Sequence, residues 1–308
     1  MAKNNKRTKQ ASRSMVVVST EVDNYKYRDI RALKPICVDC KEHPQYPMSV
    51  AFQETDKVNL SKGKQLEYFV PNNIALLLSN SRKSLDKAEV MYKEQLLKHI
   101  PSDEEKFVDQ LWSNCSLVSD YIELMQTAIV FGYTALEAFA NISIPENYTY
   151  ISKPNSKGIK EQFSKEAVER WVRLQDKLNV ILPDIYNTSV LNKQKFWPHF
   201  IALEECRNNI IHQKTIDRTS FLFEYFKPKI FEILRVPEKI IVHFYEANGA
   251  KNKQEASANL MWPWLEGNST FPVMTSPDEI LQWQVDLTRP SMQARVSRSL
   301  NKAVEKNT

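Results

Sequence analysis

Residues 107–139 read FVDQLWSNCSLVSDYIELMQTAIVFGYTALEAF, and this stretch decides the fold. Its apolar positions are Phe107, Leu111, Cys115, Val118, Ile122, Met125, Ile129, Gly132, Leu136 and Phe139. The steps between them run 4, 4, 3, 4, 3, 4, 3, 4, 3. A strand would need steps of two. Steps of three and four put one apolar stripe along a helix of ~3.6 residues per turn. The spacing predicts a single helix of about eleven turns, ending at 141–143 before Pro145. A helix so long needs cover along its stripe, from a bundle or from a helical dimer interface.

Working outward, residues 75–99 carry Leu76, Leu77, Leu85, Ala88, Met91 and Leu96 with many charges at i,i+4, a second helical pattern. Between the two, Ser102 to Glu105 has the form of a capping box, in which hydroxyl and carboxylate satisfy free N–H groups at a helix start. Downstream, a Pro- and Asn-bearing loop at 146–157 precedes a predicted helix over 158–182 stopped by Pro183. Further helices are predicted over 195–213 and over 219–234, the latter kinked by Pro228, with 238–247 extending the bundle. Residues 15–74 combine β-branched 16–20 with scattered prolines, which predicts short strands and loops. The expectation is a mainly α protein, a helical bundle over 75–247. A mixed, β-containing segment at 15–74 precedes it, and a partly irregular C-terminal extension at 248–308 follows. In that extension Trp262, Trp264 and Trp283 need cover, so part of it should dock.

Composition narrows the function. Only 5 of 308 residues are glycine, against ~7% on average. Neither a G-x-G-x-x-G nor a P-loop pattern occurs, which argues against the Gly-rich nucleotide cradles. The net charge of +5 is not spread evenly. Residues 1–14 hold Lys3, Lys6, Arg7, Lys9 and Arg13 with no acid, and 289–308 hold Arg289, Arg295, Arg298, Lys302 and Lys306 against Glu305 alone. Two basic tails thus flank a slightly acidic body. Such tails suit nucleic acid or an anionic membrane, and equally a solvated tail. No run reaches the ~18 apolar residues of a membrane span, and no apolar core follows the basic start as in a signal peptide. Four cysteines in this length make no disulfide framework. The expected compartment is the cytoplasm, without a membrane partner.

Two constellations could carry chemistry. Cys37 and Cys40, with His43 beyond, supply three ligands where a structural zinc site needs four, and no second Cys pair follows. They read as a partial metal site, a redox pair or two plain thiols. The second is Arg207-Asn-Asn-Ile-Ile-His212 near the end of its helix. Arg207 and His212, five apart, sit ~140° apart on an ideal helix, whereas Asn208 and His212, four apart, share a face.

The segment from Glu205 to His212 resembles the R-x4–6-H signature of the HEPN superfamily, with its polar residue directly after the Arg. Residues 128–141, and Ala135-Leu-Glu-Ala-Phe139 above all, resemble that family's inner helix. The resemblance covers roughly 75–247. It implies a small helical bundle that forms a homodimer, bringing two R-x4–6-H motifs into a shared cleft. It also implies a metal-independent endoribonuclease of toxin–antitoxin or phage-defence systems, with RNA as the partner, no cofactor, and an antitoxin or other defence protein as a possible second partner. In that reading His212 is the acid/base, Arg207 the phosphate clamp and Asn208 an orienting polar group. Glu137, a charge beside an apolar stripe, would pair with Arg207 or His212 across the bundle. The chemistry suits RNA: its own 2′-OH is the nucleophile, an imidazole exchanges protons near neutral pH, and a guanidinium holds two phosphoryl oxygens. One departure is Lys214, where the nucleotidyltransferase-controlled toxins of the family carry Tyr. A non-catalytic HEPN dimer that only binds or scaffolds is the alternative, and a zinc module at Cys37, Cys40 and His43 a third.

Overall fold

The quoted stretch does form one α-helix, Phe107–Ile142, of 36 residues. It belongs to a computed structural model that describes residues 14–20, 28–39, 49–99, 107–154, 156, 158–212, 219–249, 259, 261–265 and 273–275. In chain order the strands are β1 (Ser14–Ser19), β2 (Ile36–Asp39), β3 (Ser49–Asn59), β4 (Gln65–Phe69), β5 (Thr149–Ile151), β6 (Gln162–Ser164) and β7 (Val273–Thr275). The helices are α1 (Asn73–Met91), α2 (Phe107–Ile142), α3 (Lys165–Trp171), α4 (Leu174–Asp176), α5 (Leu182–Tyr186), α6 (Trp197–Ile211), α7 (Ile230–Leu234) and α8 (Val236–Gly249). The protein is mainly helical, with strands concentrated near the N-terminus. It divides into two compact units, one holding β1–β4, β7 and Trp262–Trp264, the other the helices from Asn73 onward.

In the helical unit α2 is the axis. Met125, Ile129, Leu136 and Phe139 are fully buried. Each such side chain contributes ~1.5–3 kcal/mol by leaving water. α1 runs antiparallel along α2: Ser81 Oγ donates to Ala128 O at 2.8 Å, and the Tyr92 and Tyr121 rings meet at 6.1 Å. Gly132 permits the close approach. A Cβ there would stand 2.9 Å from Ser81 Oγ and 3.2 Å from Pro237 Cγ of α8. Phe244 of α8 packs on Phe139, their ring centroids 5.8 Å apart, and α6 adds the buried Phe200 and Leu203.

The stripe is not buried along its whole length. α1 gives way to a π-turn at Tyr92–Leu96, level with Tyr121, and the first turns of α2 extend past it. Phe107, Leu111 and Cys115 are exposed, as are Val108 and Trp112, the last to 71%.

Other boundaries depart from expectation. Residues 158–182 are not one helix. β5 and β6 pair antiparallel with Tyr150 opposite Phe163, and α3 begins only after Ser164, whose Oγ accepts the Ala167 N–H at 3.4 Å. Val172 and Arg173 are extended and break the helix, which restarts at Leu174. Pro183 does not stop it. A π-turn at Lys177–Ile181, closed by Leu182 N–H to Lys177 O, precedes the proline, and the helix continues to Tyr186. The wider turn relieves the clash that the ring would make with the carbonyl four residues back. The predicted 219–234 helix is a 3₁₀ segment, Ser220–Phe226, followed by α7. Lys227 is extended because the residue before a proline is disfavoured in the helical region. The capping box at 102–105 lies outside the described residues.

In the strand unit, β3 is central. It pairs antiparallel with β1 (Val16 opposite Gln53), with β2 (Ile36 opposite Phe52) and, along its outer half, with β4 (Val58 opposite Leu66). β7 adds in parallel to β2, so the C-terminal extension supplies a strand to the sheet. Trp262 and Trp264 are buried, and Asn72 Nδ2 donates to Met261 O at 2.8 Å. Trp283 and both basic tails lie outside the described residues, apart from Ser14.

Candidate functional site

α2 and α6 pack against each other in the helical unit. Tyr133 and Glu137 are four apart on α2, and Glu204 and Arg207 three apart on α6, so each pair shares a helix face. Across the helix pair the Arg207 guanidinium carbon lies 5.0 Å from the centre of the Tyr133 ring. The Tyr133 hydroxyl donates to Glu204 Oε1 at 2.9 Å, and Gln175 Nε2 donates to Glu204 Oε2. Arg207 Nη1 donates to Asn208 Oδ1 at 3.0 Å. Among the described residues Arg207 forms no ion pair with a carboxylate. It is seated on an aromatic face and steadied by an amide, with guanidinium N–H groups left over.

Glu137 is half-buried, and burial holds its carboxyl above the ordinary carboxylate value. Arg207 and Lys177 pull it back down, while Glu204 pushes it up. The expected direct pairing with Arg207 or His212 does not occur as an ion pair; Glu137 interacts with Arg207 at longer range, through the field. Lys177 is the buried cation of the cluster. Its Nζ donates to Asn141 Oδ1 at 2.8 Å and to Glu169 O at 2.9 Å, and burial lowers its pKa against the pull of Glu137 and Glu169.

His212 is the first residue past α6. Its backbone (φ −117°, ψ 42°) has left the helix, but its N–H still bonds Asn208 O at 2.8 Å. The side chain is exposed, and among the described residues its imidazole has no hydrogen bond. Arg207, Asn208 and His212 are thus linked in series, side chain to side chain and then backbone to backbone. Lys214 lies outside the described residues.

Sequence reasoning did not single out Tyr133, Glu204, Gln175 or Lys177. The available signal was spacing: Tyr133 stands one turn before Glu137 and Glu204 almost one turn before Arg207. Of the zinc candidates, Cys37 is buried in the sheet and its thiol is pushed up to about 12 by burial, while Cys40 and His43 lie outside the described residues. Among the described residues no three His, Cys, Asp or Glu side chains group to hold a metal ion, and no helix is long and apolar enough to cross a membrane.

No protein-family model, curated protein or solved structure matches the chain.

Proposed function

We propose that this protein is a metal-independent endoribonuclease of HEPN type, acting as a phage-defence or toxin effector. The observation that carries the reading is the seat of Arg207: a guanidinium held over Tyr133, in no direct ion pair among the described residues, five positions before an exposed imidazole. Arg207 binds the non-bridging oxygens of the scissile phosphate and offsets the charge gained in the pentacoordinate state. His212 takes the proton of the 2′-OH as that oxygen attacks phosphorus. The 5′-oxygen leaves with a proton, giving a 2′,3′-cyclic phosphate and a 5′-OH. Two proton transfers need two groups, and a second copy of the chain supplies the second imidazole. Asn208 fixes the guanidinium.

The test is incubation of purified protein with RNA in EDTA, wild type beside Arg207→Ala and His212→Ala. Cyclic-phosphate ends are expected from the wild type alone. Undiminished cleavage by His212→Ala would remove the assignment. Host growth on induction of wild type against the double variant tests the effector role.

The exposed apolar turns of α2 favour a second reading, a non-catalytic HEPN module that dimerises or binds a partner through Phe107, Leu111 and Trp112. Absence of cleavage with every RNA tried, together with a stable dimer, selects it.

A further inference from the structure

A cleft of about 870 Å³ opens between the β5 hairpin arm and the helix that runs from Leu174 to Tyr186. One wall is aromatic. Tyr148, just before β5, and Tyr150, within it, both line the cleft, and Tyr150 is backed by Phe163 with ring centroids 6.1 Å apart. The other wall is the helix face bearing Asp176, Asn179 and Asp184, and the π-turn lies within it. Such turns are rare and often mark functional sites. Asp184 Oδ2 accepts from the Tyr148 hydroxyl at 3.2 Å. Asp176 has no hydrogen bond or ion pair among the described residues, and it stands close enough to Tyr150 to help raise that phenol, after burial. Asn179 Oδ1 accepts the Asn192 N–H at 2.8 Å, which turns the carboxamide and leaves its NH₂ as a donor. Lys153 stands among the lining residues.

The groups of the cleft thus include a ring face at Tyr150, a neutral donor at Asn179 and, three positions before it on the helix, the carboxylate of Asp176 with two acceptor oxygens. Among the four RNA bases, guanine alone has two neighbouring donors, N1–H and N2–H₂, beside one acceptor, O6. We propose that this cleft binds an unpaired guanine of single-stranded RNA, stacked on Tyr150, with Asp176 on N1–H and N2–H₂ and Asn179 on O6. Lys153 takes the adjoining phosphate. Unpaired bases are read in this way, by stacking and by hydrogen bonds to the Watson–Crick edge. The proposal rests on the ribonuclease reading for its link to catalysis. That link is Gln175, which lines the cleft and donates to Glu204, the carboxylate that holds Tyr133 beneath Arg207.

The experiment is titration of the full chain with guanosine, adenosine, cytidine and uridine 5′-monophosphates, followed by calorimetry or NMR. Guanosine monophosphate should bind about tenfold tighter than the others, the worth of one good bidentate pair. Asp176→Asn should erase the preference and Tyr150→Leu should weaken all four nucleotides. Asp176 is exposed, so the Asn variant should keep the wild-type melting temperature. Equal affinity for the four nucleotides, or a preference that survives Asp176→Asn, overturns the proposal. Nucleotide binding needs no cleavage, so the two readings fail separately. A chain that prefers guanosine monophosphate but cuts no RNA keeps the cleft and loses the nuclease. A chain that cuts RNA equally beside all four bases, in wild type and Asp176→Asn alike, keeps the nuclease and loses the cleft.

Discussion

The Arg207 guanidinium carbon rests 5.0 Å from the centre of the Tyr133 ring, and the hydroxyl of that ring is bound to Glu204, on the same helix as Arg207. One side chain thus does two separable things: its face seats the cation, and its edge ties α2 to α6.

Substitutions at Tyr133 separate them. Tyr133→Phe keeps the face and deletes the bond to Glu204. It should lower stability by about 1.5–3 kcal/mol, the worth of a hydrogen bond to a charged group, and leave RNA cleavage near wild type. Tyr133→Leu removes the face as well. A cation over a partly desolvated ring is worth ~0.5–2 kcal/mol, so cleavage should fall well below that of Tyr133→Phe. Equal activity in the two variants would mean that the ring does not position Arg207. Urea melts and initial cleavage rates check both arms.

Glu137 gives a pH-dependent prediction. Its carboxyl is raised in the folded state, chiefly by burial. Protonated Glu137 is therefore favoured by folding. The stability it contributes is complete below the ordinary value of 4.5 and is lost as pH rises through the folded value. Glu137→Gln mimics the protonated form. It should match wild type in melting temperature at pH 4 and exceed it at pH 7, while cleaving RNA more slowly. A gain that is the same at both pH values would show that ionisation of Glu137 carries no folding penalty.

Lys34 makes the opposite case in the strand unit. It is buried, and burial lowers its pKa from 10.5 to about 7. Between those values the unfolded chain binds the extra proton, so wild-type stability should rise as pH climbs through that window. Lys34→Met removes a charge that folding disfavours. Its melting temperature should exceed wild type by several degrees at pH 6, and the excess should shrink at pH 9. An excess that grows with pH would contradict the burial account.

How far this was legible in the sequence depended on the range of the interaction. α2 was readable because its period is a local property of Phe107 to Phe139, and α6 was readable from Phe196, Phe200 and Leu203. The break at Val172 and Arg173 was not, since an apolar period runs unbroken through Val168, Trp171 and Leu174, yet Trp171 is 71% exposed. Nor was the passage of the helix through Pro183, which needs a π-turn that no composition rule announces. The partial exposure of the α2 stripe follows from where α1 ends, a fact about another segment. The same holds for the candidate site. Arg207, Asn208 and His212 fall within six residues and form a pattern, whereas Tyr133 and Glu204 meet across 71 positions through packing alone. Glu137 was singled out for being a charge on an apolar helix. Its environment, with Lys177 and Glu204 beside it, belongs to the tertiary fold.

Packing at Gly132 allows a test in which the sign of an effect reverses. Gly to Ala in a helix interior normally stabilises by ~1 kcal/mol. Here the new Cβ would meet Ser81 Oγ at 2.9 Å and Pro237 Cγ at 3.2 Å. Ser81 would have to turn away and give up its bond to Ala128 O, leaving a buried hydroxyl unsatisfied at ~1–3 kcal/mol. Gly132→Ala should therefore destabilise by about 1 kcal/mol net. In a Ser81→Ala background the nearest obstructing atom and the hydrogen bond it would lose are gone, Pro237 Cγ at 3.2 Å has to give by only a few tenths of an ångström, and the same substitution should become neutral or stabilising. A double-mutant cycle read by chemical denaturation measures the coupling. Additive effects would mean that α1 and α2 do not meet at Ser81 and Gly132 as closely as the structure has them.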